Sequence, residues 1–210
     1  PLEHQGYDYA TVQIGEQCWF AENLRSENYN NGDEIPSGLS DSEWSSATSG
    51  ARAVFGDGIS DCFEYSPPGD ACDELWSLNE YGRLYNWFAV DDVRGLCPSG
   101  WHVPTDNEWT VLTDFLGGES AAGTQMKATY GWANPGGNGT NSSGFSGLPG
   151  GQRNPNGYFN IAGIAGIWWS ATHDANAPWR RDLYSNDAFV SRFYGALTDG
   201  LSVRCVLNEE

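Results

Sequence analysis

The sequence predicts an α+β domain with one well-capped helix, short antiparallel strands and long ordered loops. Two observations favour this class. The 210-residue chain has 27 Gly and 10 Pro, a composition that favours many turns and short strands. It also has 10 Trp, 10 Tyr and 9 Phe, which supply enough apolar surface for a packed core and exclude a disordered chain. We therefore expect a single domain over residues 1–210.

The domain is predicted to begin with a β-hairpin. Residues 10–14 and 18–21 have the composition of two strands, and Gly15 and Glu16 lie between them as the turn. We expect the segment from Pro1 to Ile14 to supply an extended arm that can add a strand to a neighbouring sheet.

Residues 36–76 are predicted to be an insertion. The part from 36 to 60 is rich in Ser, Gly and Asp, but it also carries Trp44, Val54 and Phe55. Because these side chains need apolar neighbours, we expect the insertion to be ordered rather than a linker.

The clearest helix signal covers residues 106–116. Thr105 and Glu108 have the spacing of a capping box, in which each side chain accepts a hydrogen bond from the other's backbone N–H. A Gly-Gly pair ends the helix. The apolar stripe that we expect to face the core is Trp109, Leu112, Phe115 and Leu116. A second, weaker helix signal covers residues 120–128.

The C-terminal part of the chain is predicted to form short strands. The segments IWWSAT, RRDLYS, AFVSRFY and LSVRCV alternate apolar and polar residues in the way that strands do. Residues 130–166, which precede them, are dominated by Gly, Asn, Ser and Pro and are expected to be a long loop region.

The charge of the chain restricts its partners. With 28 acidic and 10 basic residues the net charge is −18, which repels nucleic acid and anionic membrane surfaces. No apolar run approaches the roughly 18 residues of a membrane span, so no membrane insertion is expected. Lys127 is the one lysine, and the nine arginines are expected to act as structural clamps on carbonyls and carboxylates.

Motifs for catalysis are missing from the sequence. Gly144-Phe-Ser146 comes nearest to a serine nucleophile elbow, but Leu148 stands where that motif needs its second glycine. There is no HExxH motif, P-loop or dinucleotide fingerprint. His102 follows Trp101 and is expected to be a packed, hydrogen-bonded residue. We therefore expect no enzymatic activity.

The five cysteines predict an oxidising compartment. They form no CxxC pair, which excludes a zinc ribbon or a thioredoxin-like motif. Two bridges among five cysteines can be drawn in fifteen ways. Cys62 and Cys72 are expected to pair, because they flank a short Pro- and Gly-rich loop that a bridge would order. Such a bridge would stabilise the fold by about 2–3 kcal/mol. Cys18 lies beside aromatic residues and is expected to be a free, buried thiol.

An acidic cluster surrounds this small loop. Carboxylate oxygens are the ligands that calcium needs. The spacing is not that of an EF-hand, so two interpretations stay open, a calcium site or a solvated acidic loop. No other cofactor is expected. The candidate calcium ligands are Asp57, Asp61, Asp70, Asp73 and Glu74.

Several sequence blocks resemble a known family. GRLYNWFAV, GLCPSGWHVPTDNEW, GTNSSGFSGLPGGQR, IWWSAT and LSVRCV occur in the order found in the Fibrobacter succinogenes major paralogous domain family. The opening VQIGEQCWFAENL is similar to the first hairpin of that family. The resemblance implies a fold like that of C-type lectins and formylglycine-generating enzymes, in secreted or surface proteins of bacteria. The terminal SVRC block also implies a second bridge, Cys97–Cys205.

The same resemblance separates the chain from two activities of related folds. Formylglycine-generating enzymes use two closely spaced cysteines near the C-terminus, whereas Cys205 is the one cysteine after Cys97 here. Sugar-binding C-type lectins carry a Glu-Pro-Asn or Gln-Pro-Asp triplet and a Trp-Asn-Asp triplet. Asn154-Pro-Asn156 and Ser185-Asn-Asp187 are partial likenesses.

These observations predict a non-catalytic structural or interaction module on the outside of a bacterial cell. Its expected partners are copies of itself, in a filament or layer, or other surface proteins. The alternative is a carbohydrate-binding, lectin-like domain, since exposed Trp and Tyr side chains can stack on sugars.

Overall fold

The structure is a computed structural model that describes residues 2–58, 70–133, 137–175 and 177–209. Its helices are α1 (Asp41–Ser45), α2 (Glu74–Tyr81), α3 (Trp87–Val90), α4 (Asp106–Phe115) and α5 (Glu119–Met126). Its strands are β1 (Leu2–His4), β2 (Tyr7–Tyr9), β3 (Thr11–Ile14), β4 (Gln17–Phe20), β5 (Arg52–Ala53), β6 (Leu84–Tyr85), β7 (Trp101–His102), β8 (Gln152–Arg153), β9 (Phe159–Asn160), β10 (Ala165–His173), β11 (Pro178–Tyr184), β12 (Val190–Tyr194), β13 (Leu201–Ser202) and β14 (Val206–Leu207). Mixed helices and sheets confirm the α+β class.

The predicted C-terminal strands form most of the main sheet. This six-stranded sheet has the order β12-β11-β10-β13-β6-β5. β10, β11 and β12 are antiparallel neighbours, and β10 pairs with β13 in parallel through Trp168 and Ser202. β12 and β5 are the outer strands, which leaves β12 with a free edge among the described residues.

Alternate residues of β10 build two separate parts of the core. Trp168 packs in one apolar cluster with Trp19, Trp109 and Phe145, whereas Trp169 packs in another cluster, which includes Tyr85. This follows from the geometry of a strand, in which successive side chains point to opposite faces of the sheet. A run that is apolar at nearly every position therefore fits a strand covered on both faces.

The predicted N-terminal hairpin is confirmed. β3 and β4 pair in antiparallel register, from Thr11 with Phe20 to Ile14 with Gln17. They belong to a second, four-stranded sheet with the order β3-β4-β14-β7. The last strand of the chain thus lies between two early ones, because β14 pairs with both β4 and β7.

Residues before this hairpin fold back on their own chain instead of forming an extended arm. β1 and β2 make a two-stranded sheet around the turn at Gln5 and Gly6. Tyr9 is buried and stacks on Phe20 at 4.7 Å between ring centroids. The side-chain oxygen of Gln5 accepts hydrogen bonds from the backbone of Glu27 and the residue after it.

Helix α4 has the predicted N-terminal cap and first residue and ends at Phe115, one residue before the predicted end, with Leu116 as its C-cap. Thr105 Oγ1 accepts from the backbone N–H of Glu108 at 3.2 Å, and Glu108 Oε2 accepts from the backbone N–H of Thr105 at 2.7 Å. Trp109 and Leu112 are fully buried, but the prediction for Phe115 is wrong, since it is 64% exposed. Its ring lies on the β3–β4 turn, where a Cβ at Gly15 would come within 3.0 Å of it. The weaker helix is also confirmed, as α5.

The described part of the 36–76 region is ordered and joined to the rest of the fold. Trp44 on α1 is buried, and its Nε1 donates to the carbonyl of Thr198 at 2.7 Å. Phe55 is also buried. β5 adds to the main sheet by pairing with β6, so these residues contribute a strand as well as loops.

Within the described ranges, no helix has the length and apolar character needed to cross a membrane.

Candidate functional site

The disulfide between Cys97 and Cys205 is present, as the family resemblance implied. It joins the loop before β7 to the linker between β13 and β14, across a sequence separation of 108. Cys18 is free, as predicted, although it is partly exposed rather than buried. Cys62 lies outside the described residues, so the Cys62–Cys72 bridge stays a prediction. Disulfides persist in oxidising compartments, and the observed bridge therefore indicates a non-cytoplasmic protein.

Three of the candidate calcium ligands lie at the start of α2. Asp73 is its N-cap, and its Oδ1 accepts from the backbone N–H of Trp76 at 2.7 Å. Glu74 occupies the first turn, where a carboxylate interacts favourably with the positive end of the helix dipole. Asp70 Oδ1 accepts from the backbone N–H of Cys72 at 3.1 Å. These contacts give Asp70 and Asp73 structural roles in the turn before the helix.

The other two candidates do not complete a calcium site in the part of the chain that the structure describes. Asp57 lines a cleft of about 510 Å³ with Asp41, Arg153 and Tyr158. Asp61 lies outside the described residues. Among those residues no group of three or more His, Cys, Asp or Glu could hold a metal ion. The calcium site therefore stays a prediction.

His102 has the hydrogen-bonded environment that the sequence predicts. One ring nitrogen lies 2.8 Å from Glu108 Oε1 and the other 2.7 Å from Asn208 Oδ1. The hydrogen bond to Glu108 raises the pKa of His102. Glu108 also caps α4, so His102 ties that cap to the C-terminal end of the chain.

The partial lectin triplets take part in local turns. Asn154 Oδ1 accepts from the backbone N–H groups of Asn156 at 2.9 Å and Tyr158 at 3.2 Å. Asp187 Oδ1 accepts from the backbone N–H of Phe189 at 2.9 Å. Asn and Asp commonly hold turns in this way, which accounts for both triplets without a ligand.

A polar depression that sequence reasoning missed is the cleft beside Tyr130, here called the Tyr130 cleft. Its volume is about 280 Å³. Six segments that are separate in the sequence build it: the residue between β2 and β3, the chain after β4, the end of α2, the loop after α5, the loop before β8 and the β13–β14 linker. The side chains that matter for its chemistry are Glu22, Arg25, Asn79, Glu80, Tyr130 and Arg204.

Arg204 forms the buried base of the Tyr130 cleft. Its Nε donates to Asn23 Oδ1 at 2.7 Å, and its two Nη atoms donate to the carbonyls of Phe20, Phe145 and Ser146. The guanidinium carbon also lies 4.2 Å from the ring centroid of Phe145. Burial lowers the pKa of Arg204 to about 9, so the side chain stays charged at neutral pH. This is the structural clamp predicted for the arginines, but here the clamp also lines a cleft.

The rim of the Tyr130 cleft carries one ion pair and one half-exposed aromatic ring. Arg25 Nη2 lies 3.5 Å from Glu22 Oε2. Tyr130 is 51% exposed, and its hydroxyl donates to Glu80 Oε2 at 3.3 Å. The side chains that line the cleft include two carboxylates, Glu22 and Glu80, and two guanidinium groups, Arg25 and Arg204, so their charges sum to zero.

A second surface of interest is the free edge of the main sheet, here called the β12 edge and defined as residues 189–197. Its exposed large side chains are Phe189, Phe193, Tyr194 and Leu197. Tyr194 stacks on Trp179 at 3.8 Å between ring centroids, and Arg192 covers the same indole at 3.7 Å. Apolar side chains on an edge strand, which has one unpaired side, form a template for another chain.

A third surface lies where α4 meets the β3–β4 turn, and we call it the α4 patch. It is an apolar depression of about 640 Å³ lined by Ile14, Gly15, Val111 and Phe115, with Gln13 and Glu16 at its border. Val111 and Phe115 are exposed. The β12 edge and the α4 patch are therefore two different apolar surfaces on one chain.

A family model described as the Fibrobacter succinogenes major domain matches the chain over residues 12–207. No curated protein and no solved structure matches the chain.

Proposed function

The chain belongs to the Fibrobacter succinogenes major domain family, and on this basis we propose that it is a non-catalytic interaction module of a bacterial surface that associates with copies of itself. The fold we propose for it is C-type-lectin-like. An extracellular location is consistent with the Cys97–Cys205 bridge, because such bonds persist outside the reducing cytoplasm.

The β12 edge is the observation that carries this proposal. Phe193 and Tyr194 are exposed on a strand that has one paired and one unpaired side in the described structure. Soluble monomers usually protect such edges with charges, prolines or covering loops. Here the one charged side chain of β12, Arg192, is tied to Asp106, the aromatic Phe193 and Tyr194 beside it are exposed, and contact with a second copy would bury them.

The α4 patch is the surface on a neighbouring copy to which we propose that the β12 edge binds. Val111 and Phe115 lie on a helix, not on a strand, so this patch is not a copy of the β12 edge. When two unlike surfaces of the same chain bind each other, each new copy leaves a free surface at both ends. Such contacts give rings if they close and filaments if they do not, and an open series is the form we propose.

The net charge of −18 determines the conditions for association. Copies with this charge repel one another at low ionic strength. At physiological ionic strength the Debye length is about 8 Å, so much of the repulsion between exposed charges is screened. We therefore expect the protein to associate more strongly as salt increases, which is opposite to the behaviour of a contact held by ion pairs.

Light scattering over a range of protein and salt concentrations, with electron microscopy of the largest species, tests the proposal. The informative variant is Phe193→Glu, which places a charge on the β12 edge. Leu75→Glu is the matched control, because Leu75 is an exposed leucine on α2. We expect wild type and the control to associate and Phe193→Glu to be monomeric. A wild-type protein that stays monomeric in every condition, or a control that is as monomeric as Phe193→Glu, would refute it.

A further inference from the structure

We propose that the Tyr130 cleft binds one neutral sugar residue of a glycan chain by direct contact, without a calcium ion. This inference is independent of self-association, because it rests on a cleft that shares no residue with the β12 edge or the α4 patch.

The base of the cleft is a fixed guanidinium with one N–H group, on Nη2, left for a ligand, because the other four N–H groups of Arg204 donate to the protein. Arg204 is 1% exposed, and four hydrogen bonds hold its guanidinium in place. A buried side chain that is fixed in this way loses little conformational entropy when a ligand arrives. Ser146, whose carbonyl accepts from Arg204 Nη2, also lines the cleft, as does Asn23, which accepts from Nε.

The rim offers the complementary groups. A sugar ring has an apolar C–H face and a border of hydroxyl groups that both donate and accept. The half-exposed ring of Tyr130 can cover the apolar face. The carboxylate of Glu80, held by the Tyr130 hydroxyl, can accept from sugar hydroxyls, and Asn79 beside it can both donate and accept.

Charge and size select a neutral ring over other ligands. Glu22 is already paired with Arg25, and Glu80 balances Arg204, so the cleft has no excess of positive charge for an acidic sugar. The acidic surface of the whole chain adds repulsion against anions. A volume of about 280 Å³ is just below the roughly 300–1,000 Å³ of clefts for drug-sized ligands, which suits a single ring.

Direct contact, not calcium, is expected because the partners of Glu22 leave it no role as a metal ligand. Its Oε1 accepts from the backbone N–H of Ala10 at 3.0 Å, while its Oε2 accepts from the Tyr7 hydroxyl and lies 3.5 Å from Arg25. Glu80 is then the one remaining carboxylate that lines the cleft.

The test uses the full chain and a panel of oligosaccharides, assayed once with calcium and once with EDTA. The panel contains neutral hexose, pentose and N-acetylhexosamine chains, together with uronic-acid chains. We expect binding to a neutral chain that EDTA leaves unchanged. Binding that needs calcium, binding to uronic-acid chains alone, or no binding to any member overturns the proposal.

Two variants and one matched control locate the site. Tyr130→Ala removes the aromatic face and should weaken binding about tenfold, in line with the loss of one ring contact. Glu80→Gln removes the charged acceptor without changing the shape and should weaken binding several-fold. The control is Tyr158→Ala, because Tyr158 is 60% exposed but lines the cleft around Arg153. If Tyr158→Ala weakens binding as much as Tyr130→Ala does, or if neither cleft variant weakens it, the sugar does not bind in the Tyr130 cleft.

Discussion

The indole Nε1 of Trp109 donates a 3.3 Å hydrogen bond to the backbone carbonyl of Trp169, which ties α4 to the central strand of the main sheet. Trp109 also lies 4.9 Å from Trp19 and 5.8 Å from Phe145 between ring centroids. One side chain thus joins the helix, the N-terminal hairpin and the main sheet.

Trp109→Ala should lower the free energy of unfolding by about 3–5 kcal/mol, because it removes a fully buried aromatic side chain and leaves a cavity. The measurement is the midpoint of denaturant unfolding, followed by far-ultraviolet circular dichroism. Asn107→Ala is the control at an exposed position of the same helix, outside the α4 patch, and should change the free energy by no more than about 0.5 kcal/mol. Equal midpoints for Trp109→Ala and wild type would mean that this face of α4 contributes little to stability.

The sequence predicted those elements whose signals are local. Thr105 and Glu108 lie three residues apart, and the β3–β4 hairpin needs only a turn between two short strands. The β1–β2 hairpin has a similar local signal, since Tyr7 and Tyr9 alternate with a polar residue after the turn at Gly6. Each of these patterns spans only a few residues, so it can be recognised in the sequence without knowledge of tertiary contacts.

The parts that could not be predicted depend on contacts between distant segments. Phe115 fits the apolar stripe of α4, but its ring lies at the side of the helix that meets the turn at Gly15 and not the core. Tyr130 and Arg204 are 74 positions apart in the sequence. Taken alone, Tyr130 is a tyrosine in a loop and Arg204 a structural arginine, and neither residue indicates a binding site. Only the folded chain brings them to one cleft.

The cysteines give a second prediction. Mass mapping without reduction should yield one cross-linked pair of peptides with Cys97 and Cys205, one with Cys62 and Cys72, and an alkylated Cys18. A cross-link to Cys18 would contradict the assignment.

Removing the long-range bridge should also weaken the fold. A double Cys97→Ala, Cys205→Ala variant should lose about 4–5 kcal/mol of unfolding free energy, since the bridge closes a loop of more than a hundred residues. Cys18→Ala is the control, because this thiol forms no bridge. An unchanged denaturation midpoint in the double variant would show that the bridge does little to restrict the unfolded chain.

Asp182 predicts a pH dependence of stability. It is fully buried, and its Oδ1 has no hydrogen-bond partner in the described structure. Burial raises the pKa of Asp182 to about 6, although Arg180 and the Tyr184 hydroxyl favour the charged form, and Asp199 nearby adds repulsion. Burial also raises the pKa of Asp199. A pKa above the unfolded value of about 3.9 means that the folded state holds the proton more tightly.

The sign of the effect follows from this difference in proton affinity. The contribution of protonated Asp182 to the free energy of unfolding is complete below about pH 4 and is lost as the pH rises through about 6. Between these values the free energy of unfolding changes by up to about −1.4 kcal/mol per pH unit. Asp182→Asn should show a flatter profile over the same window when unfolding free energies are measured from pH 4 to 7. Asp8→Asn, at an exposed position, should follow wild type. A profile for Asp182→Asn that runs parallel to wild type would rule out Asp182 as the source.

The last prediction separates the β12 edge from the N-terminal segment as the source of self-association. In the structure residues 2–9 form a hairpin on their own chain, and the Tyr9 hydroxyl accepts a 2.8 Å hydrogen bond from the backbone N–H of Arg25. Deleting residues 1–9 would remove this buried tyrosine and weaken the fold, so a loss of association in that variant would have two explanations. Deleting residues 1–6 keeps Tyr7 and Tyr9 and removes the first strand, the turn and the hydrogen bonds that Gln5 makes to the backbone of residues 27 and 28. We expect the 1–6 deletion to associate like wild type in light scattering, because the β12 edge is intact, and Phe193→Glu to be monomeric. The reverse result, with the deletion monomeric and Phe193→Glu still associating, would mean that the N-terminal segment leaves its own chain and connects neighbouring copies.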